Sequence, residues 1–354
     1  MKVSVATSGP PSGASQEDVP APLPIGLIGL GKHGSRYLHH ALSDDLGVRV
    51  AAVSRQDAAA GRALATELGV HFHADYRDLV RDPAVRAVVA VLPPNQHPSV
   101  VAAAVTEGKP LLIEKPLAVG GVRAFALSRQ IEAAGLPCLM AQTLRFSGVV
   151  RALRELRDRL GRLNQMIFGQ SFEPSRLGWL DDADVAGGGI ILHTGVHLFD
   201  LVRHLSGGEV EWAQCATAQV RTVRTEDGFV AALGVRNGEA EILAALSASR
   251  ATRSRYGEIR LLGEHGQLVA DHVLGTLDLI VDREVVLSRE IPDCGTVRDV
   301  LREFARVAEG APPSVTAADG AAAVEIADAC YRAVAAGGRV AVRTREELSR
   351  CPSS

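Results

Sequence analysis

The chain has 354 residues, 47% of them hydrophobic, and a formal net charge of −3 with acidic and basic residues interspersed. That length supports two domains with substantial cores, and the charge excludes the basic stripe of a nucleic-acid binder. Apolar runs such as Ala84 to Leu92 fall far short of the about 20 residues that cross a bilayer.

Residues 1–23 are rich in Ser, Gly, Pro and Ala and lack the basic start and apolar core of a signal peptide, which predicts a disordered tail. Five scattered cysteines (Cys138, Cys215, Cys294, Cys330 and Cys351) have no Cys-x-x-Cys spacing. They argue for a reduced, cytoplasmic compartment and against a disulfide framework or cysteine zinc site.

From 24 to 142 short apolar runs alternate with helical patterns. Ile25–Ile28, Val48–Val53, Ala87–Leu92, Leu111–Ile113 and Cys138–Ala141 are strand candidates, and Ser35–Leu42, Ala58–Leu68, Pro98–Glu107 and Val122–Ala134 lie between them as helices. Runs apolar throughout are strands covered on both faces, so this part predicts an α/β Rossmann domain. The first strand runs into Gly29, Gly31 and Gly34 at G-x-G-x-x-G spacing. The first glycine makes the turn, the second admits a pyrophosphate, and the third lets helix and strand pack closely. A phosphate there sits on the positive end of the new helix. The second strand ends in Ser54-Arg55, where an enzyme preferring NAD usually carries an acid for the ribose hydroxyl. A guanidinium there suits a 2′-phosphate, so NADP is expected over NAD. The loop Leu92-Pro93-Pro94-Asn95-Gln96-His97 follows another strand, and Glu114-Lys115-Pro116 stands at the carboxyl end of a parallel strand, where ligands bind in such sheets.

The stretch 143–296 is expected to form the second domain. Arg151–Leu160 and Val185–Leu205 read as helices, and from Glu211 the pattern turns to period 2. With Gln165–Ser171, the segments Glu211–Val223, Phe229–Val235, Ala240–Ser249, Glu258–Leu262, Leu268–Ala270 and Leu277–Val281 predict an α+β domain with a large, mostly antiparallel open sheet of about six strands or more. Residues 297–342 return to helices packing back on the domains, at Val297–Ala308 and Ala317–Ala335, and 343–354 reads as a tail.

The glycine turn, the Pro-Pro-Asn-x-x-His loop and the Glu-Lys-Pro triplet resemble the glucose-fructose oxidoreductase/inositol dehydrogenase (Gfo/Idh/MocA) family of NAD(P)-dependent oxidoreductases. The resemblance continues through Arg145-Phe146, through Gly187-Gly188-Gly189 followed by His193, His197 and Asp200, and ends in Val315-Thr316-Ala317-Ala318-Asp319-Gly320. It implies cofactor contacts from Gly29, Gly31, Lys32, His33, Gly34, Ser54, Arg55, Pro93, Asn95, His97, Glu114 and Lys115. It implies substrate contacts from Lys115, Arg145, Trp179, His193 and His197, with a sugar, cyclitol or related polyol as substrate and a secondary alcohol or ketone reacting. His197 stands where the family places its catalytic histidine and is the expected acid/base, while Lys115 stabilises charge on the reacting oxygen. His193 replaces the family's usual aspartate one helical turn earlier. Without that carboxylate His197 should titrate lower, or His193 should share the proton work. His193, His197, Asp200 and His204 on one helix make an awkward metal set, and no metal is expected. A glycosidase using transient C3 oxidation with held NAD, and a non-catalytic cofactor-sensing regulator, are the other readings of this fold. The sheet predicts a homodimer or homotetramer.

Overall fold

The computed structural model describes residues 21–351 except 176 and 294. Most of the segment expected to be a tail, and Cys294, therefore lie outside the described residues.

The first domain is a six-stranded parallel sheet, ordered β3-β2-β1-β4-β5-β6. Its strands are β1 (Leu23–Ile28), β2 (Val48–Ser54), β3 (His71–His73), β4 (Ala87–Ala90), β5 (Leu111–Glu114) and β6 (Cys138–Ala141). The helices α1 (Gly34–Ser43), α2 (Ala58–Leu68), α3 (Tyr76–Arg81), α4 (His97–Glu107) and α5 (Gly121–Ala133) connect them. β4, β5 and β6 are buried at every position, as their unbroken apolar runs require. The short β3 and α3 have no counterpart in the sequence reading, because three residues at a sheet edge carry too little periodicity.

The second domain opens with α6 (Gly148–Leu156) and β7 (Leu163–Ser171). A single helix over Val185–Leu205 is not what forms. The glycines divide it into α7 (Ala183–Ala186), a π-helical turn at Ile191–Gly195 and α8 (Val196–Ser206). Residues 183–206 are long and apolar enough to cross a membrane by length and composition, but most of that stretch is buried inside the fold.

Seven further strands follow: β8 (Glu209–Ala218), β9 (Gly228–Asn237), β10 (Ala240–Ser249), β11 (Tyr256–Gly263), β12 (Gly266–Asp271), β13 (Thr276–Val281) and β14 (Glu284–Glu290). β8 stops short of the expected Val223. The backbone N–H groups of Val220, Arg221 and Thr222 turn onto the carboxylate of Asp227, which ends the ladder. After α9 (Thr296–Ala308) and α10 (Ala317–Ala336), β15 (Val340–Ala341) pairs with β8. The nine-stranded sheet is ordered β14-β13-β12-β11-β7-β10-β9-β8-β15, antiparallel except where β7 meets β10. The segment read as a tail from 343 contains α11 (Arg345–Ser349), closed by a capping box between Thr344 and Glu347.

α10 joins the domains. Thr316 and Asp319 cap it reciprocally, and its alanine-rich flank packs against α5 of the first domain and α8 and β8 of the second. A buried ion-pair cluster reinforces this joint. Arg145 holds Asp200 through Nε (2.7 Å) and Nη2 (2.6 Å), and Asp319 accepts from Arg203 at 3.0 Å.

One face of the large sheet is open. Val230 is 57% and Leu243 51% exposed, on adjacent antiparallel strands, and Val285 and Val286 are exposed on β14. An apolar sheet face of this kind is normally covered by a symmetric copy. Sedimentation at micromolar concentration should therefore give a dimer or larger assembly that Leu243→Arg weakens, and a wild-type monomer contradicts this.

Candidate active site

A cleft of about 1060 Å³ runs along the carboxyl edge of the parallel sheet, from the glycine turn to the second domain. Gly29 adopts φ +88°, which only glycine takes readily, and a Cβ there would overlap the Val91 carbonyl. A Cβ on Gly34 would overlap the carbonyl of Gly29. Gly31 differs from both, since nothing lies within 4 Å of its added Cβ. The first and third glycines thus serve packing, and the second leaves open the approach that a pyrophosphate needs. This cradle fits a dinucleotide, with Lys32, His33, Ser54, Arg55 and Pro93 lining the same cleft.

Arg55 has no ion-pair or hydrogen-bond partner among the described residues. The neighbouring Asp57 is committed to the N–H of Ala60 as the cap of α2. In the Pro93–His97 loop the sequence reading needs correction. Asn95 and Gln96 are both exposed on a 3₁₀ turn over Pro94–Gln96, and Gln96, not Asn95, lines the cleft. His97 is fully buried, with its ring nitrogens 3.1 Å from the carbonyls of Leu92 and Leu117. It ties the loop to the segment after Lys115 and makes no wall of the cleft.

Glu114 ends β5 and is buried. Its Oε1 accepts from His33 Nε2 (2.7 Å) and the Tyr37 hydroxyl (2.6 Å), and its Oε2 accepts from the Lys115 amide (3.0 Å). Burial opposes its charge, yet His33 and Lys115 hold its carboxyl down at about 2. Tyr37, one turn after His33, is a site residue the sequence reading missed.

Lys115 extends toward the second domain and donates through Nζ to the His193 carbonyl at 2.9 Å. Burial lowers its pKa, with Glu114 opposing and Arg250 adding to the fall. His193 and His197 line a chamber of about 620 Å³ beside Lys115, Thr194 and Arg250. His193 donates through Nε2 to the Ala186 carbonyl at 2.9 Å and meets the edge of Trp179, ring centroids 5.4 Å apart. Burial, then the charges of Lys115 and Arg250, push His193 down to about 3. The His197 ring has no hydrogen bond among the described residues, and its Nδ1 is buried without a partner. Burial first, then Lys115, press its pKa well below 6.5, the direction expected when no carboxylate faces it.

Arg145 does not reach the chamber, contrary to expectation. Its guanidinium is spent on Asp200, Asp319 and the Ser314 carbonyl. Deleting one member of such a buried pair costs about 3–5 kcal/mol of stability, so Arg145 holds α8 in place. Asp181 accepts from the backbone of Val223, Arg224 and Thr225, pinning the turn that carries Trp179. His193 and Asp200 are thus both committed elsewhere. The convergent trio of potential metal ligands among the described residues is instead His71, His73 and Asp82 at the sheet edge, where both imidazoles contact Asp82 Oδ2 (2.6 and 2.8 Å).

Comparison with known proteins agrees with this architecture. The family model described as "Oxidoreductase family, NAD-binding Rossmann fold" matches residues 23–141, and the "GFO/IDH/MocA C-terminal domain" matches residues 150–269. The chain is 28% identical over 334 residues to inositol 2-dehydrogenase 2 of Saccharopolyspora erythraea, covering 90% of this chain and 95% of that one. Inositol 2-dehydrogenase 1 of the same organism is 44% identical over 96 residues, 27% of this chain and 28% of that relative. A solved levoglucosan dehydrogenase in complex with NADH and L-sorbose superposes with TM-score 0.81 at 20% identity, covering 92% of this chain and all of that one. The fold and cleft define a Rossmann-type nucleotide-dependent oxidoreductase, a dehydrogenase or reductase. The chain belongs to the Gfo/Idh/MocA family.

The glycine geometry separates packing from binding. Gly34→Ala should lower the melting temperature by several degrees. Gly31→Ala should leave melting nearly unchanged while weakening nicotinamide-dinucleotide binding at least about tenfold. Thermal melts with fluorescence titration check both, and equal effects on melting would contradict the division.

Proposed function

We propose that the protein is an NADP-preferring dehydrogenase or reductase of cyclitols, sugars or related polyols. The observation that carries this is the convergence of Lys115, His193 and His197 on one chamber opening from the glycine cleft, with the His197 ring unpartnered. The relatives named as inositol dehydrogenases and the neighbour named as a levoglucosan dehydrogenase support the substrate class.

Bound in the cleft, the nicotinamide would accept or supply the hydride. Everything else falls to this chain's own side chains. Lys115 Nζ donates to the reacting oxygen and stabilises negative charge as it develops. His197, held neutral by burial and by Lys115, takes the hydroxyl proton during oxidation and returns it during reduction. His193 is the weaker proton carrier, since its Nε2 proton is committed to Ala186. Its carbonyl instead aims the Lys115 ammonium, making it a positioning residue. Lys115 and the two histidines supply the substrate contacts, with Trp179 packed against His193 from the cofactor cleft. Lys32, His33, Ser54, Arg55 and Pro93 line the cofactor cleft, with Glu114 behind them as support. The unpaired Arg55 guanidinium supports the preference for a 2′-phosphate.

Fluorescence titration should find NADPH bound about tenfold or more tightly than NADH, with Arg55→Ala erasing the difference. Tighter NADH binding would reverse the cofactor assignment. His197→Asn and Lys115→Met should each lower kcat about 10²-fold or more while NADPH still binds. A base must be neutral to act, and His197 has its pKa depressed. Oxidation kcat/KM should therefore stay level as pH falls through 6.5 and decline only below it. A decline centred at 6.5 or above would remove His197 from the role.

A further inference from the structure

Arg250, the residue after β10, lines both the cofactor cleft and the adjoining chamber. Its Nη2 donates to Thr194 Oγ1 at 3.1 Å, on the π-helical turn that also carries His193. Among the described residues no carboxylate forms an ion pair with it. The acids near it, Glu226 and Asp227, favour its charge through space but make no direct ion pair with it. Glu226 accepts from the amides of Gly189 and Ile191 and from the Tyr331 hydroxyl, and Asp227 accepts from three amides of the following turn. The chamber has one carboxylate in its lining, Glu173, which is held by Arg255 at 2.6 Å.

The chamber lining therefore carries four cations, Lys32, Lys115, Arg250 and Arg255, against one carboxylate, Glu173, which Arg255 holds; Lys115 is opposed by Glu114, and Arg250 has no direct ion pair among the described residues. The two histidines cannot compensate, since a neutral imidazole carries no charge. A half-buried guanidinium with no directly paired carboxylate leaves part of its donor fork open to a ligand. Where one persists in a ligand chamber, the missing anion is most simply supplied by the ligand.

Resting on the dehydrogenase reading above, we infer that Arg250 receives a carboxylate of the substrate, so that the preferred substrate is an acidic polyol of the aldonate or uronate class. A planar carboxylate matches the guanidinium fork with two parallel hydrogen bonds. Lys115 is reserved for the reacting oxygen, Lys32 also lines the cofactor cleft, and Arg255 is paired with Glu173, which leaves the Arg250 fork for the anion and favours a carboxylate over a phosphate. The position of Arg250 beside Thr194 sets the anion close to the carbinol that faces His197.

The test is calorimetric titration of the NADPH-bound enzyme with matched ligands: D-gluconate against D-glucitol, D-glucuronate against D-glucose, and D-glucose 6-phosphate. The carboxylates should bind about tenfold or more tightly than their neutral counterparts, and Arg250→Met should abolish that margin. Arg250→Lys should recover only part of it, because an ammonium lacks the fork. Equal affinity for acid and neutral ligand, a margin that survives Arg250→Met, tighter binding of the phosphate, or binding of none of the five would each overturn the inference. If Arg250→Met does not fold, the wild-type margins and the Arg250→Lys titration decide. Because these titrations read binding alone, they are separable from the enzyme-class reading, which is judged by NADPH binding and turnover of neutral cyclitols.

Discussion

The Glu114 carboxylate, 4% exposed, binds the glycine turn and Lys115 into one unit. It accepts from His33 and Tyr37 on the first turn of α1 and from the Lys115 amide on its own strand. A buried carboxylate without partners would cost several kcal/mol, but with three donors it becomes a rigid link between α1 and the end of β5. The mouth of the cofactor cleft and the root of Lys115 cannot move independently. Lys115 then crosses to the second domain and donates to the His193 carbonyl, so one chain of contacts runs from the glycine cradle to the chamber lined by the two histidines.

The second domain supplies the other half under equal constraint. Glu226 pins the triple-glycine segment through two amides and Tyr331, and the π-helical turn that follows carries His193 and Thr194 into the chamber. π-helical turns recur at functional sites. The Arg145–Asp200 pair behind α8 fixes the helix that carries His197. The electrostatic result is a chamber rich in fixed positive charge, with both histidines driven to the neutral form.

Much of this was legible in the sequence. The buried strands of the first domain and the three glycines are signals carried by neighbours in the chain and form where local pattern predicts them, while Glu114-Lys115 and the histidine pair were singled out through the family resemblance. What was not legible depends on long-range placement. Arg250 meets Thr194 across 56 residues and Tyr37 meets Glu114 across 77. The resemblance implies a substrate contact for Arg145, but Asp200, 55 residues on, claims its guanidinium. Asn95 and Gln96 exchange roles on a single 3₁₀ turn, and the Val185–Leu205 pattern gave no sign that glycines would divide it.

The account turns on hydride transfer at a carbinol held between Lys115 and His197. It is tested most directly with neutral and carboxylate-bearing polyols deuterated at their carbinol carbons, incubated with the enzyme and NADP⁺ or NAD⁺, and the nicotinamide analysed by mass spectrometry. The account predicts deuterium in the recovered dinucleotide for at least one of these substrates, formed about 10²-fold or more slowly by His197→Asn. No label from any substrate, or label acquired equally fast by His197→Asn, would contradict it.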